Sequence, residues 1–382
     1  MRRMPCQRIN VDDDIRNWKL ETWVLYIKRV LSNFQFQVSS FNPLFPLSIQ
    51  DQSNLMAGDP TTTIRPKKPP VLVICGPTGI GKTAAAIAAA EAFGGEVISA
   101  DSMQVYRYMD IGTAKPTNEE RTRAPHHLID VVDPDDDYDA ARFSRAAREI
   151  AVAMDRRGAV PIVAGGTGLY IKVMLYGLFR AEPPDPLTRQ RLRQEAAEVG
   201  SEALHRRLAG IDAKAADRIH PHDTFRIIRA LETAAATGEP ITDHHRRHRF
   251  RESPFRVLKI GLDMDRQALY DRIDRRVDTM IDAGLLDEVR GLLSRGYGGD
   301  LKSMQSLGYR HMVDFTAGRL TWEEAVRTLK RDTRRFAKRQ LTWFRADKEI
   351  VWSAPENFSA LFPKIDAFLR NNSKYARPFN SA

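Results

Sequence analysis

"VLVICGPTGIGKTAAAIAAAEAF", Val71–Phe93, decides the fold. "VLVIC" is a short apolar run bounded by Pro70 and Gly76, the mark of a strand buried on both faces. "TAAAIAAAEAF" is a run of good helix formers that stops at Gly94-Gly95. Between them, "GPTGIGKT" fits G-x-x-x-x-G-K-[ST], and the strand before and helix after are the context this loop requires. Gly76, Gly79 and Gly81 let the backbone turn tightly and point its N–H groups inward, and the helix N-terminus adds its positive dipole end. Lys82 brings a charge to the phosphates, and the Thr83 hydroxyl suits a magnesium ion. The predicted phosphate site is therefore the whole loop: Gly76, Pro77, Thr78, Gly79, Ile80, Gly81, Lys82 and Thr83. Alone, this motif favours an enzyme that consumes ATP or GTP.

Working outward, "EVISA" reads as a second buried strand that stops at Asp101. "AVPIVAGGTG" is a third, stopping at Gly165-Gly166, and a helical stretch around Ala140–Arg156 precedes it. Strands alternating with helices imply a parallel α/β sheet, whose sites gather at the carboxyl ends of the strands. From Glu182 the texture becomes helical and charged, and strand character returns only at "FRVLKIGL", Phe255–Leu262. The predicted fold is an α/β, P-loop NTPase-like parallel sheet core with an inserted helical subdomain and C-terminal helices. Residues 67–181 form the first part of the core, 182–253 the insertion and 254–352 the second part with a basic helix. Residues 353–382 are expected to be a tail helix and a disordered end. Residues 1–66 are polar and Pro-containing and are expected to be poorly ordered. A start at Met56 and a genuine N-terminal arm are both open.

Composition narrows the function classes. No run of about 18 apolar residues occurs, so no transmembrane helix is expected, and the basic-then-acidic N-terminus does not read as a signal peptide. Two cysteines, Cys6 and Cys75, build neither a disulfide framework nor a zinc cluster, which suits the cytoplasm. "DHHRRHRF" and "PHHLID" look like metal sites, but no cysteine or carboxylate set accompanies them at ligand spacing.

The net charge of +10 becomes informative where it clusters. "RTLKRDTRRFAKRQLTWFR" carries Arg327, Lys330, Arg331, Arg334, Arg335, Lys338, Arg339 and Arg345. Leu329, Phe336, Leu341 and Phe344 fall at near-helical spacing, so one face is expected to pack and the other to meet a nucleic-acid backbone. Asp101, at a strand end beside the phosphate loop, suits a magnesium ligand, a general base or a simple helix cap. Thr167 in "GGTGLY" reads as a helix N-cap within reach of phosphate. A small-molecule kinase and a non-catalytic RNA-binding protein are the rival classes.

Eight stretches resemble one family, the tRNA dimethylallyltransferases or isopentenyl-tRNA transferases (IPP transferase family), in its order and spacing. They are "GPTGIGKT", "SADSMQVYR", "DIGTAKP", "PHHLID", "GGTGLY", "RIIRALE", "SLGYR" and "KRQLTWFR", spread from about Val71 to Trp352. The resemblance implies transfer of a dimethylallyl group from dimethylallyl diphosphate to the exocyclic amine of an adenosine. That adenosine lies just 3′ of the anticodon in tRNAs reading codons that begin with U, and Mg2+ assists. It implies Asp101 as general base, and Thr78 with Arg276 as partners of the bridging oxygen of the leaving diphosphate. By family position, Asp101, Ser102, Met103 and Gln104 line the pocket of the extruded base. Thr167, Arg189, Phe225, Arg226, Ile227 and Arg229 fall at tRNA-contacting positions. So do Gln305, Gly308, Tyr309, Arg310, Lys338, Arg339, Gln340 and Arg345. Phe225 stands where the family commonly has Gln, which either exchanges a hydrogen bond for stacking or leaves the position without a tRNA partner. No Cys/His ligand set follows Trp352, which favours a bacterial-type enzyme; a cytoplasmic location and a monomer are expected as well.

Overall fold

The structure, a computed structural model, describes residues 68–178, 185–248, 253–370 and Tyr375. The predicted extension, residues 1–66, lies outside the described residues, as do 371–374 and 376–382 of the tail. The sheet begins with β1 (Pro70–Cys75). The loop leads into α1 (Lys82–Phe93), which Gly94 ends in the left-handed conformation. Then come β2 (Gly95–Ser99), α2 (Asn118–Arg123), β3 (His126–His127), α3 (Ala140–Arg156), β4 (Val160–Gly165) and α4 (Gly168–Tyr176). Five helices follow: α5 (Pro186–Val199), α6 (Ser201–Ile211), α7 (Ala213–Ala216), α8 (Thr224–Thr237) and α9 (Ile241–His248). The chain returns as β5 (Arg256–Leu262), α10 (Arg266–Asp282), α11 (Leu285–Ser294), α12 (Tyr309–Thr316) and α13 (Trp322–Arg345). It closes with β6 (Val351–Ser353), a 3-10 turn and α14 (Phe362–Arg370).

The strands run in the order β3-β2-β4-β1-β5-β6, with every pairing parallel. Alternate residues of β1 serve opposite faces, which is why the run is apolar throughout. Val71 and Val73 pack with Phe143, Met154 and Met174 on one side. Leu72 and Ile74 pack with Ala86, Ala89 and Ile365 on the other. Cys75 is buried at the strand end, and burial pushes its thiol up to about 12. The helices α5–α9 enclose a separate core of Leu192, Leu204, Leu208, Ile227 and Leu231.

β3 and β6 are too short to be read as strands from the sequence. β3 holds two residues of "PHHLID", paired with Val97 and Ile98. Both histidines serve the fold: His126 Nδ1 lies 2.7 Å from the Ala124 carbonyl, and His127 Nε2 lies 2.7 Å from Glu96. Among the described residues no group of three or more His, Cys, Asp or Glu is placed to hold a metal ion, and no helix is long and apolar enough to cross a membrane.

The buried face of α13 also departs from expectation. It consists of Ala325, Leu329, Thr333, Ala337, Gln340 and Phe344. Phe336 was expected to pack but is 36% exposed. Leu329 and Phe344 pack as expected and Leu341 is partly buried, but between them the stripe runs through Thr333, Ala337 and Gln340 rather than through Phe336.

Candidate active site

Three turns meet at the carboxyl edge of the sheet. After β1 the phosphate loop turns through Gly79 (φ 78°) and Gly81 (φ 102°), conformations that side-chain-bearing residues rarely adopt. After β2 the chain reaches Ala100 and Asp101, and after β4 it reaches Gly166 and Thr167. These two turns are tied together: Ala100 N donates to Ala164 O at 2.8 Å, and Thr167 N donates to Ala100 O at 3.2 Å. They border a cleft of about 850 Å³. Thr78, Gly79, Gly81, Lys82 and Thr83 form one wall, with Asp101, Ser102, Met103 and Gln104 beside them. Arg276, Gly308, Arg310, Arg339 and Gln340 complete it. Gly76 is the first residue after β1, and Ile80 is fully buried.

Asp101 makes the local turn that a strand-end aspartate favours. Its Oδ1 accepts from the N–H groups of Met103 (2.8 Å) and Gln104 (3.3 Å). One oxygen is thereby fixed, and the carboxylate is aimed by its own backbone. Gln104 reaches across the cleft floor: its Oε1 accepts from Ser99 Oγ at 2.8 Å, and its Nε2 donates to Ala114 O at 3.1 Å. Thr167 opens α4 without capping it; its Oγ1 accepts instead from Ser102 N at 3.1 Å.

Lys82 donates to the Pro77 carbonyl at 2.7 Å, so the ammonium rests within its own loop. Burial, then the nearby Arg276 guanidinium, push Lys82 down to about 8, against the pull of Asp101. Burial also lowers Arg276, again opposed by Asp101. Two cations and one carboxylate thus share the same half-buried cleft, and the surplus is positive. Arg272 and Arg275, which the motif reading passed over, line the same cleft. Arg272 stands four residues before Arg276 on α10, one helical turn away, and that spacing was a legible signal.

The residues assigned to RNA contact fall into separate groups. Lys338 and Arg339 are exposed on α13. Arg310 borders the cleft and pairs with Asp332 at 2.7 Å. Asp332 also meets Arg331 at 2.9 Å and His311 at 3.3 Å, and Arg331 foremost draws its carboxyl down to about 2. Gln305 is exposed and donates to Gly299 O at 2.6 Å. Arg345 pairs with Asp263 at 2.6 Å. On the helical insertion, Phe225 is 77% exposed beside Arg226, while Arg189 (2.5 Å) and Arg229 (3.6 Å) both meet the buried Glu232. None of these insertion residues lines the cleft. Three side chains face inward: Ile227 fills the insertion core, Tyr309 is fully buried against Glu288, and Gln340 is engaged within the cleft wall.

A phosphate loop beside a carboxylate, in a cleft rimmed by arginines at the carboxyl edge of a parallel sheet, defines a P-loop α/β protein with a phosphate-binding cleft. Comparison with known proteins sharpens this class. The IPP transferase family profile matches residues 104–347, and an isopentenyl transferase profile matches 69–130. A tRNA dimethylallyltransferase of Desulfosudis oleivorans is 56% identical over 287 residues, covering 75% of this chain and 91% of that one. Its counterpart in Desulfatibacillum aliphaticivorans is 52% identical over 304 residues, covering 80% and 99%. Among solved structures, the full-length tRNA isopentenylpyrophosphate transferase of Bacillus halodurans superposes with a TM-score of 0.61 at 42% identity. The alignment covers 80% of this chain and 99% of that one. A eukaryotic dimethylallyltransferase captured acting on tRNA gives 0.65 at 26% identity, covering 82% and 81%. The chain belongs to the IPP transferase family, the tRNA dimethylallyltransferases.

Proposed function

We propose that this chain transfers a dimethylallyl group from dimethylallyl diphosphate to N6 of the adenosine 3′-adjacent to the anticodon, in tRNAs that read codons beginning with U. The observation that carries the reading is one cleft shared by the phosphate loop, Asp101, Arg276 and the basic edge of α13. A diphosphate leaving group and an amine nucleophile need these groups within one reaction volume.

The diphosphate lies in the loop, Gly76 to Thr83, against the backbone N–H groups and Lys82. N6 attacks the allylic carbon; the C–O bond to the bridging oxygen breaks, and its electron pair leaves with the diphosphate. Thr78 and Arg276 stabilise the charge that grows on that oxygen. The carboxylate of Asp101 accepts the N6 proton as the C–N bond forms. Its turn with Met103 and Gln104 holds it towards the cleft through this transfer.

The donor set fits Mg2+ of the P-loop kind. Such an ion takes one or two protein oxygens and fills the remainder with phosphate and water, and Thr83 lines the cleft next to Lys82. Magnesium bound at Thr83 would supply further neutralisation of the diphosphate.

RNA approaches over α13 and the helical insertion. Lys338 and Arg339 meet its backbone, and Phe225 offers a flat face to an unstacked base. Ser102, Met103, Gln104 and Thr167 border the extruded adenosine. The chain acts in the cytoplasm as a monomer.

Digestion of the prenylated tRNA followed by mass spectrometry of the fragments tests the position. The modified adenosine should map next to the anticodon, and replacing that adenosine with guanosine should abolish product. Product formed at another adenosine would refute the assignment.

A further inference from the structure

Gln340 lies on the packed stripe of α13 and is 8% exposed. Its carboxamide spans two of the three turns that build the cleft. Oε1 accepts from the backbone N–H of Thr78 at 2.8 Å. Nε2 donates to the Gly166 carbonyl at 2.9 Å. Only a carboxamide presents one acceptor and one donor in this pattern; a carboxylate presents two acceptors and would face the Gly166 carbonyl with like charge. The approach is close enough that a Cβ at position 166 would collide with the amide nitrogen, so glycine there makes room for the bridge.

The bridge restrains Thr78, which the proposed function places with Arg276 on the leaving oxygen. Thr78 is held by its backbone from α13, a helix 262 residues away in sequence, rather than by the phosphate loop alone. The flanking positions, Lys338 and Arg339, are exposed, and Gln340 turns inward between them and the core. We propose that Gln340 is a positioning residue of the diphosphate site. It fixes the Thr78 backbone, and hence the Thr78 hydroxyl, relative to the "GGTG" turn, and it makes no contact with RNA. This rests on the reading of Gly76–Thr83 as the diphosphate loop.

The alternative is that Gln340 serves RNA, as its place in "KRQLTWFR" suggests. The two roles separate in measurement. Gln340→Met keeps the length and apolar stem and removes both hydrogen bonds. Gln340→Glu keeps the acceptor for Thr78 and loses the donor to Gly166. Three quantities are measured on the full chain: affinity for inorganic diphosphate by calorimetry, affinity for unmodified tRNA at two salt concentrations, and the single-turnover rate with dimethylallyl diphosphate.

Gln340→Met should lower the single-turnover rate by on the order of 10²-fold, the usual consequence of misplacing a reacting partner by about an ångström. It should weaken diphosphate binding, leave tRNA affinity and its salt dependence unchanged, and melt as one cooperative unit. Gln340→Glu, which sets a carboxylate against the Gly166 carbonyl and beside the diphosphate, should lower the rate and the diphosphate affinity at least as far as Gln340→Met. Loss of tRNA affinity with diphosphate binding intact would overturn the proposal, as would wild-type behaviour of both variants. Should Gln340→Met fail to fold, Gln340→Glu decides on the same three quantities. Wild-type protein that binds diphosphate but forms no product would contradict the proposed function, and the diphosphate comparison would still judge Gln340.

Discussion

The Tyr309 hydroxyl donates a 2.6 Å hydrogen bond to Glu288, whose carboxylate also accepts the backbone N–H groups of Asp110, Ile111 and Gly112 at 2.8, 2.8 and 3.2 Å. One side chain on α11 thus gathers three consecutive amides of "DIGTAKP" and a buried phenol. Burial, with Glu288 nearby, raises the Tyr309 phenol, which stays protonated as a donor. Gly112 packs so closely on the Tyr309 ring that a Cβ there would collide with it. The loop that borders the Gln104 side of the cleft is therefore clamped from behind.

Removing the phenolic oxygen tests the clamp. Tyr309→Phe should destabilise the protein by about 1.5–3 kcal/mol, the range for a hydrogen bond to a charged group. The readout is the midpoint of chemical denaturation. Because Tyr309 is fully buried, tRNA affinity should not change. A loss of tRNA binding without a loss of stability would mean that Tyr309 meets RNA.

Lys82 links donor binding to pH. In the free protein it sits at about 8, below its ordinary value, because burial and Arg276 disfavour its charge. A bound diphosphate favours that charge and raises the value again. Binding above pH 8 must therefore take up a proton, and affinity should fall up to tenfold per pH unit beyond that point. Calorimetry of inorganic diphosphate in two buffers of different ionisation enthalpy reads the proton directly. Lys82→Met should abolish the uptake. Affinity that stays flat from below to above pH 8 would show that Lys82 does not meet the phosphates.

The basic face of α13 makes its own prediction. Lys338 and Arg339 are exposed, and Arg339 borders the cleft. Replacing both with Gln should weaken tRNA binding and reduce the slope of log affinity against log salt by about 1 for each phosphate left without its cation. An unchanged slope would place the RNA backbone elsewhere.

The sequence carried the fold because its signals are local. The buried run of β1, the glycine loop, the end of β2 at Ser99 two residues before Asp101 and the end of β4 at Gly165 are each written in a few neighbouring residues. The helix α3 came out at Ala140–Arg156, where its spacing placed it. What stayed hidden is held together by groups far apart in the chain. β3 and β6 are two and three residues long and exist only through their pairing with β2 and β5. Glu288 is 178 residues from Asp110, and nothing near either one announces the bond. Gln340 did leave a trace, a polar residue on the stripe that runs from Ala325 to Phe344, but the large apolar residues drew the reading to Phe336 instead, while Leu341 packs as expected.

The most direct test of the central claim is chemical. Unmodified tRNA and dimethylallyl diphosphate are incubated in single turnover with wild-type protein and with Asp101→Asn, and the nucleosides are weighed by mass spectrometry. The carboxamide oxygen of Asn can still accept from Met103 and Gln104, so the turn survives and only the proton acceptor is lost. Wild type should add one dimethylallyl group to adenosine. Asp101→Asn should slow that step by roughly 10²–10⁴-fold, the range for a lost general base, with tRNA affinity retained. Absence of a prenylated nucleoside from the wild-type reaction, or an equal rate from Asp101→Asn, would contradict the account.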